Sequence, residues 1–220
     1  MKKIIFGIFA HPDDEAFGPS GTLLKETRSG AELHLITLTS GEAGVNLDDH
    51  SNLGEVRLSE WQKGGKLLGA TSMSYFGYKD GQLTNTSMIE IANRLVEYIQ
   101  GILRNAPANA IVEFMTFDLN GLTGHIDHIV AARATCWAFY NLRTKDSRLS
   151  HIRLFCLSAG DLPQHNTEWV YMESGRTPKE IDETVDARSY HKEILEVMHA
   201  HHTQRQDALM HIQNEALTSV

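Results

Sequence analysis

Cysteine is scarce: the 220-residue chain has two, Cys136 and Cys156, in separate apolar segments and without a C-x-x-C spacing. Neither a disulfide framework nor a cysteine-ligated zinc site is indicated, and buried free thiols are the expectation. Long apolar runs are missing too. The longest span about seven residues, against the roughly 20 that cross a bilayer. No basic n-region, apolar h-region and small-residue cleavage site precede the first apolar segment. The expectation is a cytoplasmic chain without a membrane span. Basic residues are in deficit, 20 against 28 acidic, for a formal charge of -8. With no basic stripe, a nucleic acid is disfavoured as partner and a neutral or cationic small molecule fits better.

Hydrophobic residues make up 41% of the chain, enough for one sizeable core, and one domain over residues 1–220 is expected. Strand-like apolar runs at Ile4 to Phe9, Leu33 to Leu38, Met73 to Phe76, Ile111 to Phe117 and Ile152 to Leu157 alternate with helical patterns. That alternation predicts an α/β fold, a Rossmann-like doubly wound, mostly parallel sheet flanked by helices. Helices are expected from Ser20 to Gly30, from Asn52 to Leu68 with its shape weakened by Gly64-Gly65, from Thr86 to Arg104 and from Asp127 to Leu142. In the third, Ile89, Ala92, Leu95, Val96, Ile99, Ile102 and Leu103 share a face. A short strand at Trp169 to Met172 and a final helix from Ser189 to Ala216 complete the reading. Trp61, Trp137 and the aromatics around Phe139-Tyr140 have helical spacing, which points to core.

Chemistry concentrates in two short runs. Ala10-His11-Pro12-Asp13-Asp14-Glu15 packs an imidazole and three carboxylates directly after the first strand, where Pro12 forces His11 into an extended conformation. Gly124-His125-Ile126-Asp127-His128 follows the fourth strand and opens a helix. With strand order 3-2-1-4-5, the first and fourth strands are neighbours, and their C-terminal ends flank the crevice where such sheets bind ligands. A catalytic zinc takes three protein nitrogen or oxygen ligands and keeps one open position; His11, Asp14 and His128 can supply the three. Asp13 then remains beside the metal as a candidate general base for bound water. His125 can stabilise an oxyanion or protonate a leaving amine, and Asp127 can orient an imidazole.

The chain resembles the zinc-dependent PIG-L/LmbE-type de-N-acetylases. Ala10 to Glu15 matches that family's A-H-P-D-D-E signature, Phe17 to Thr22 resembles the segment after it, and Gly124 to His128 resembles its G-H-P-D-H. Weaker echoes at Thr39 to Glu42, Arg57 with Glu60, Gly77 to Gly81 and Ala200 to Gln204 make the resemblance domain-long. It departs at Ile126 and Leu119, where proline is usual. The resemblance implies His11, Asp14 and His128 as metal ligands, Asp13 as base and His125 as acid or oxyanion stabiliser. It further implies hydrolysis of an N-acetyl group on a glucosamine-type sugar or glycoconjugate.

Around this site Glu42, Arg57 and Asp80 are candidate substrate contacts, each weighed against a structural role; Arg57 could instead pair with Glu55 or Glu60. Glu15 reads as support behind the ligands. His201 keeps a minor claim to the site, while His199 and His202 read as structural or solvated. Iron(II) also suits a two-histidine, one-carboxylate set. The alternatives are a thiol-conjugate amidase, a two-metal phosphoesterase, or a sugar- or nucleotide-binding module with a structural metal. No motif fixes an oligomeric state, and a homo-oligomer stays open.

Overall fold

The computed structural model describes residues 1–159 and 175–207. The strands β1 (Lys3–Phe9), β2 (Glu32–Thr39), β3 (Ala70–Tyr78), β4 (Ile111–Phe117) and β5 (Leu149–Phe155) form one sheet. Its order is β3-β2-β1-β4-β5 and every pairing is parallel, the doubly wound arrangement expected from the sequence. Successive strands are added in opposite directions on the two sides of the β1–β4 boundary, so the crevice opens beyond Phe9 and Phe117.

Alternation along β1 shows why both faces are covered. Ile4, Phe6 and Ile8 enter one apolar cluster, while Ile5 and Phe9 enter the other. The first cluster lies under α4 (Asn85–Leu103) and α6 (Ile126–Arg143), which bring Ile91, Leu95, Ile99, Ala134 and Phe139. The second lies under α2 (Ser20–Arg28), α3 (Leu53–Leu68) and α7 (His191–Ala200), contributing Leu23, Leu24, Trp61, Leu68 and Val197. Two single turns, α1 (Asp14–Phe17) and α5 (Gly121–Gly124), leave the ends of β1 and β4. The caps are legible: Asn52 accepts the Glu55 amide, and Thr84 with Ser87 forms a reciprocal capping box.

Several expectations change. Gly64-Gly65 does not break α3, because both glycines face inward: a methyl at Gly64 would sit 2.9 Å from His201 Nε2, and one at Gly65 would overlap Met73. The expected final helix is broken rather than continuous: α7 ends at Ala200, where His201 leaves the helical region at φ -90°, ψ 61°, and helical residues resume at 205–207. Residues 208–216 and the strand expected at Trp169 to Met172 lie outside the described residues. Trp137 and Tyr140 are exposed because α6 buries its opposite side; Ile89 likewise lies off the buried stripe of α4. Cys136 and Cys156 are free but half-buried, and burial raises both thiol pKa values, that of Cys136 to about 11. Among the described residues no helix is long and apolar enough to cross a membrane.

Candidate active site

The first half of the site is built by the chain leaving β1. The Ala10 carbonyl still bonds to the neighbouring strand, accepting from the Thr39 amide and Thr39 Oγ1, each at 2.9 Å. After Pro12 the backbone turns sharply, and Asp13 takes φ 109°, ψ -25°. A non-glycine residue held there costs on the order of 1–3 kcal/mol and persists only when its surroundings impose it. The turn lets Asp14 fold back: its Oδ2 accepts the amides of Ala10 at 3.0 Å and His11 at 2.9 Å, which leaves Oδ1 facing the crevice.

The second half comes from the loop after β4. Gly121, Leu122 and Gly124 all have positive φ, and the loop delivers His125 as the cap of α6. His125 Nδ1 accepts the Asp127 amide at 3.2 Å, so the neutral ring carries its proton on Nε2. The carboxylate of Asp127 accepts the amides of Gly81 at 2.8 Å and Leu83 at 3.2 Å, tying the β3–α4 loop to the site. His128 Nδ1 lies 3.3 Å from the Gly121 carbonyl, a partner that leaves Nε2 with its lone pair.

These halves meet. His11 Nδ1 is 3.1 Å from His128 Nε2, His128 Nε2 is 3.2 Å from Asp14 Oδ1, and His11 Nδ1 is 3.7 Å from Asp14 Oδ2. Ligands about 2.0–2.1 Å from a tetrahedral zinc stand about 3.3 Å apart, close to the two separations measured from His128 Nε2, while the His11–Asp14 distance is to the oxygen that also accepts the two amides. The far nitrogen of His11, Nε2, is 3.0 Å from Asp80 Oδ1 and 3.5 Å from Asp127 Oδ2, aligned on neither as a hydrogen bond. With its pKa raised, His11 carries protons on both ring nitrogens, and Nδ1–H points at His128 Nε2; a cation between the two rings would take the place of that proton. His11, His125 and His128, and separately His11, Asp80 and Asp127, form groups able to hold a metal ion.

Burial and charge set the protonation states. Burial pushes the Asp13 carboxyl up to about 6; Arg57 opposes this and Asp14 adds to it. Burial acts the same way on Asp14, but His128 and His11 outweigh it and hold its pKa well below the usual range. Asp80 is lowered to about 2, because His11 and the Ala43 amide overcome its burial. Burial disfavours a charged His11, yet Asp127, Asp14 and Asp80 raise its pKa well above 6.5. His125 is lowered, first by burial and then by the neighbouring imidazoles, and its place at a helix N-terminus acts in the same direction.

The expected substrate contacts have their polar groups engaged by the protein. Arg57 does not pair with Glu55 or Glu60; it is 4% exposed, donating to Asp13 Oδ2 at 2.8 Å, Pro12 O at 2.7 Å and Gly41 O at 2.6 Å. Glu42 accepts from Ser40 Oγ and the Asp80 amide, and Asp80 accepts the Ala43 amide. All three therefore also brace the crevice wall. His201, given only a minor claim by the sequence, is 1% exposed and bonds Glu15 Oε1 at 2.8 Å. Burial disfavours its charge and Glu15 reverses that, so its pKa is raised. The only sequence signal for this pairing was the short Ala200 to Gln204 run.

Arg57→Leu removes the cation from a buried carboxylate, and we expect a loss of about 3–5 kcal/mol in urea unfolding of the metal-free protein near neutral pH. The loss shrinks toward about pH 5, because Asp13 takes up a proton once it has no guanidinium partner. A loss unchanged by acid would contradict the pairing. A metal held through His11 would displace its proton, so apparent affinity for zinc or another divalent ion should climb about tenfold per pH unit below the His11 pKa. Competition titration should find the plateau only well above pH 6.5. An affinity flat through that region would mean that no ring proton has to leave.

A family model described as "PIG-L: GlcNAc-PI de-N-acetylase" matches residues 6–139. A 1D-myo-inositol 2-acetamido-2-deoxy-alpha-D-glucopyranoside deacetylase of Mycolicibacterium gilvum is 30% identical, covering 92% of this chain and 80% of its own length. Among solved structures, the N,N'-diacetylchitobiose deacetylase of Pyrococcus horikoshii superposes with a TM-score of 0.64 at 19% identity, over 92% of this chain and 70% of its own. The 4-carboxy-2-hydroxymuconate hydratase GalB of Pseudomonas putida gives 0.65 at 15% identity, over 97% and 84%. These structural likenesses establish the fold alone, since one fold hosts different chemistries. The family match is more specific, because it spans both histidine runs and the strands that bring them together: the chain belongs to the PIG-L family of de-N-acetylases.

Proposed function

We propose that this chain is a zinc-dependent hydrolase that removes the acetyl group from a small N-acetylglucosamine-type sugar or glycoconjugate, with His11, Asp14 and His128 holding the ion. The observation that carries the reading is a metal-ready donor set next to a carboxyl whose pKa is raised to about 6. A relative named as deacetylase of a 2-acetamido-2-deoxy-glucopyranoside supports the substrate class. Bound zinc supplies Lewis acidity, lowering the pKa of a water to about 7 and polarising a carbonyl. Iron(II) suits the same donors.

The protein groups divide the proton work. Arg57 occupies Asp13 Oδ2, and Oδ1 has no protein partner among the described residues, so Asp13 takes the proton of the attacking water through that oxygen. A base with pKa about 6 is ionised at neutral pH and returns the proton readily. His125, neutral because its pKa is lowered, offers Nε2–H to the oxygen of the tetrahedral intermediate as a hydrogen bond rather than as an acid. Asp13 then delivers its proton to the departing nitrogen. The C–N bond breaks, and acetate and the free amine leave.

Asp13→Asn should keep one metal per chain while turnover on N-acetylated glucosaminides, scored as released acetate, falls roughly 10²–10⁴-fold. Chelation should abolish wild-type turnover and added zinc restore it. Wild-type rates in Asp13→Asn, or no acetate released from any N-acetylated sugar, would overturn the proposal.

A further inference from the structure

The reaction as derived leaves one buried pair without a task. His201 Nε2 and Glu15 Oε1 are 2.8 Å apart, and their side chains are 1% and 0% exposed. They sit 186 residues apart in sequence. Glu15 is the last member of the first motif, and its other oxygen, Oε2, accepts the Asp13 amide at 3.2 Å. The pair therefore ends on the backbone of the one residue in the motif with φ 109°.

Everything around His201 secures it. The Thr203 amide and Oγ1 donate to Glu60 at 3.0 and 2.6 Å, and Gln204 Nε2 donates to the Val45 carbonyl at 3.1 Å. Phe17 meets the imidazole edge-on at 6.0 Å between ring centres. Gly64 leaves the space into which the pair fits, since a methyl there would stand 2.9 Å from His201 Nε2 and 3.3 Å from Glu15 Oε1.

We propose that His201 is a positioning residue for Asp13: through Glu15 it clamps the Asp13 amide, so the C-terminal segment holds the base in its left-handed conformation. Arg57 fixes the carboxylate end of Asp13 and the His201–Glu15 pair fixes the backbone end. Without the second hold the backbone relaxes toward ordinary φ, and the carboxylate swings away from the water it must deprotonate. The metal ligands lie on the other branch of the turn, where Asp14 Oδ2 is held by Ala10 and His11 amides, so metal binding persists.

The proposal rests on Asp13 acting as base, and the experiment separates the two. Wild type, His201→Ala, His201→Gln and Gly64→Ala are compared for kcat, KM, bound zinc and hydrogen exchange at the Asp13 amide. His201→Ala should lose roughly 10–100-fold in kcat with little change in KM, keep its zinc and exchange the Asp13 amide faster. His201→Gln, which retains an N–H for Glu15, should recover most of the rate. Gly64→Ala favours the helix intrinsically but crowds the pair, so it should fold and still lose kcat several-fold. Wild-type kcat and exchange in His201→Ala and Gly64→Ala would overturn the proposal, as would a kcat loss matching only the unfolded fraction. If wild type releases no acetate, the deacetylase reading fails, and the Asp13 exchange rate alone decides the clamp.

Discussion

Burial of negative charge at the mouth of the β1–β4 crevice is the constraint from which the site's architecture follows. Asp13, Asp14, Glu15, Glu60, Asp80 and Asp127 are all at most 8% exposed. An unpaired buried carboxylate is destabilising by several kcal/mol, so each needs a partner supplied by the fold. Arg57 takes Asp13, backbone amides and two imidazoles take Asp14, His201 takes Glu15, Thr203 takes Glu60, and loop amides take Asp80 and Asp127. These pairings pull the β2–α3 loop, the β3–α4 loop and the chain after α7 onto the same sheet edge.

Partner assignment also separates the properties of two adjacent aspartates. Asp14 is held ionised by imidazoles and amides, whereas Asp13 has one guanidinium against burial and a charged neighbour, so its pKa rises to about 6. One environment suits a permanent anion and the other a group that exchanges protons near neutrality. The left-handed turn at Asp13 produces this difference, since it sends consecutive side chains in different directions.

Fold and chemistry are separable here. A hydratase and a deacetylase share this sheet at almost the same TM-score, so the doubly wound architecture by itself selects no reaction. What it supplies is a rigid edge on which short turns and one helix terminus aim imidazoles at each other. His125 illustrates this: its ring closes the first turn of α6, which fixes its tautomer and keeps it neutral.

Local patterns carried much of the result. Apolar runs broken by helical spacing specified the five strands, because a parallel sheet buried on both faces needs such runs and crossovers; their order was legible only on taking the sheet as doubly wound. That His11, Asp14, His125 and His128 gather at one crevice was legible because each lies within a few residues of a strand end or helix start. The partners of Arg57, Asp80 and His201 were not legible. Arg57 reaches Asp13 across 44 residues and His201 reaches Glu15 across 186, and the short runs around Arg57 and His201 mark the residues without saying which partner each takes. Trp137 looked like core because helical spacing says that a face exists, not which face turns inward. The sequence by itself therefore determined the sheet, the crevice and the side chains at its lip. Only tertiary packing decided which distant groups neutralise those side chains, because burial, not local geometry, makes each pairing necessary.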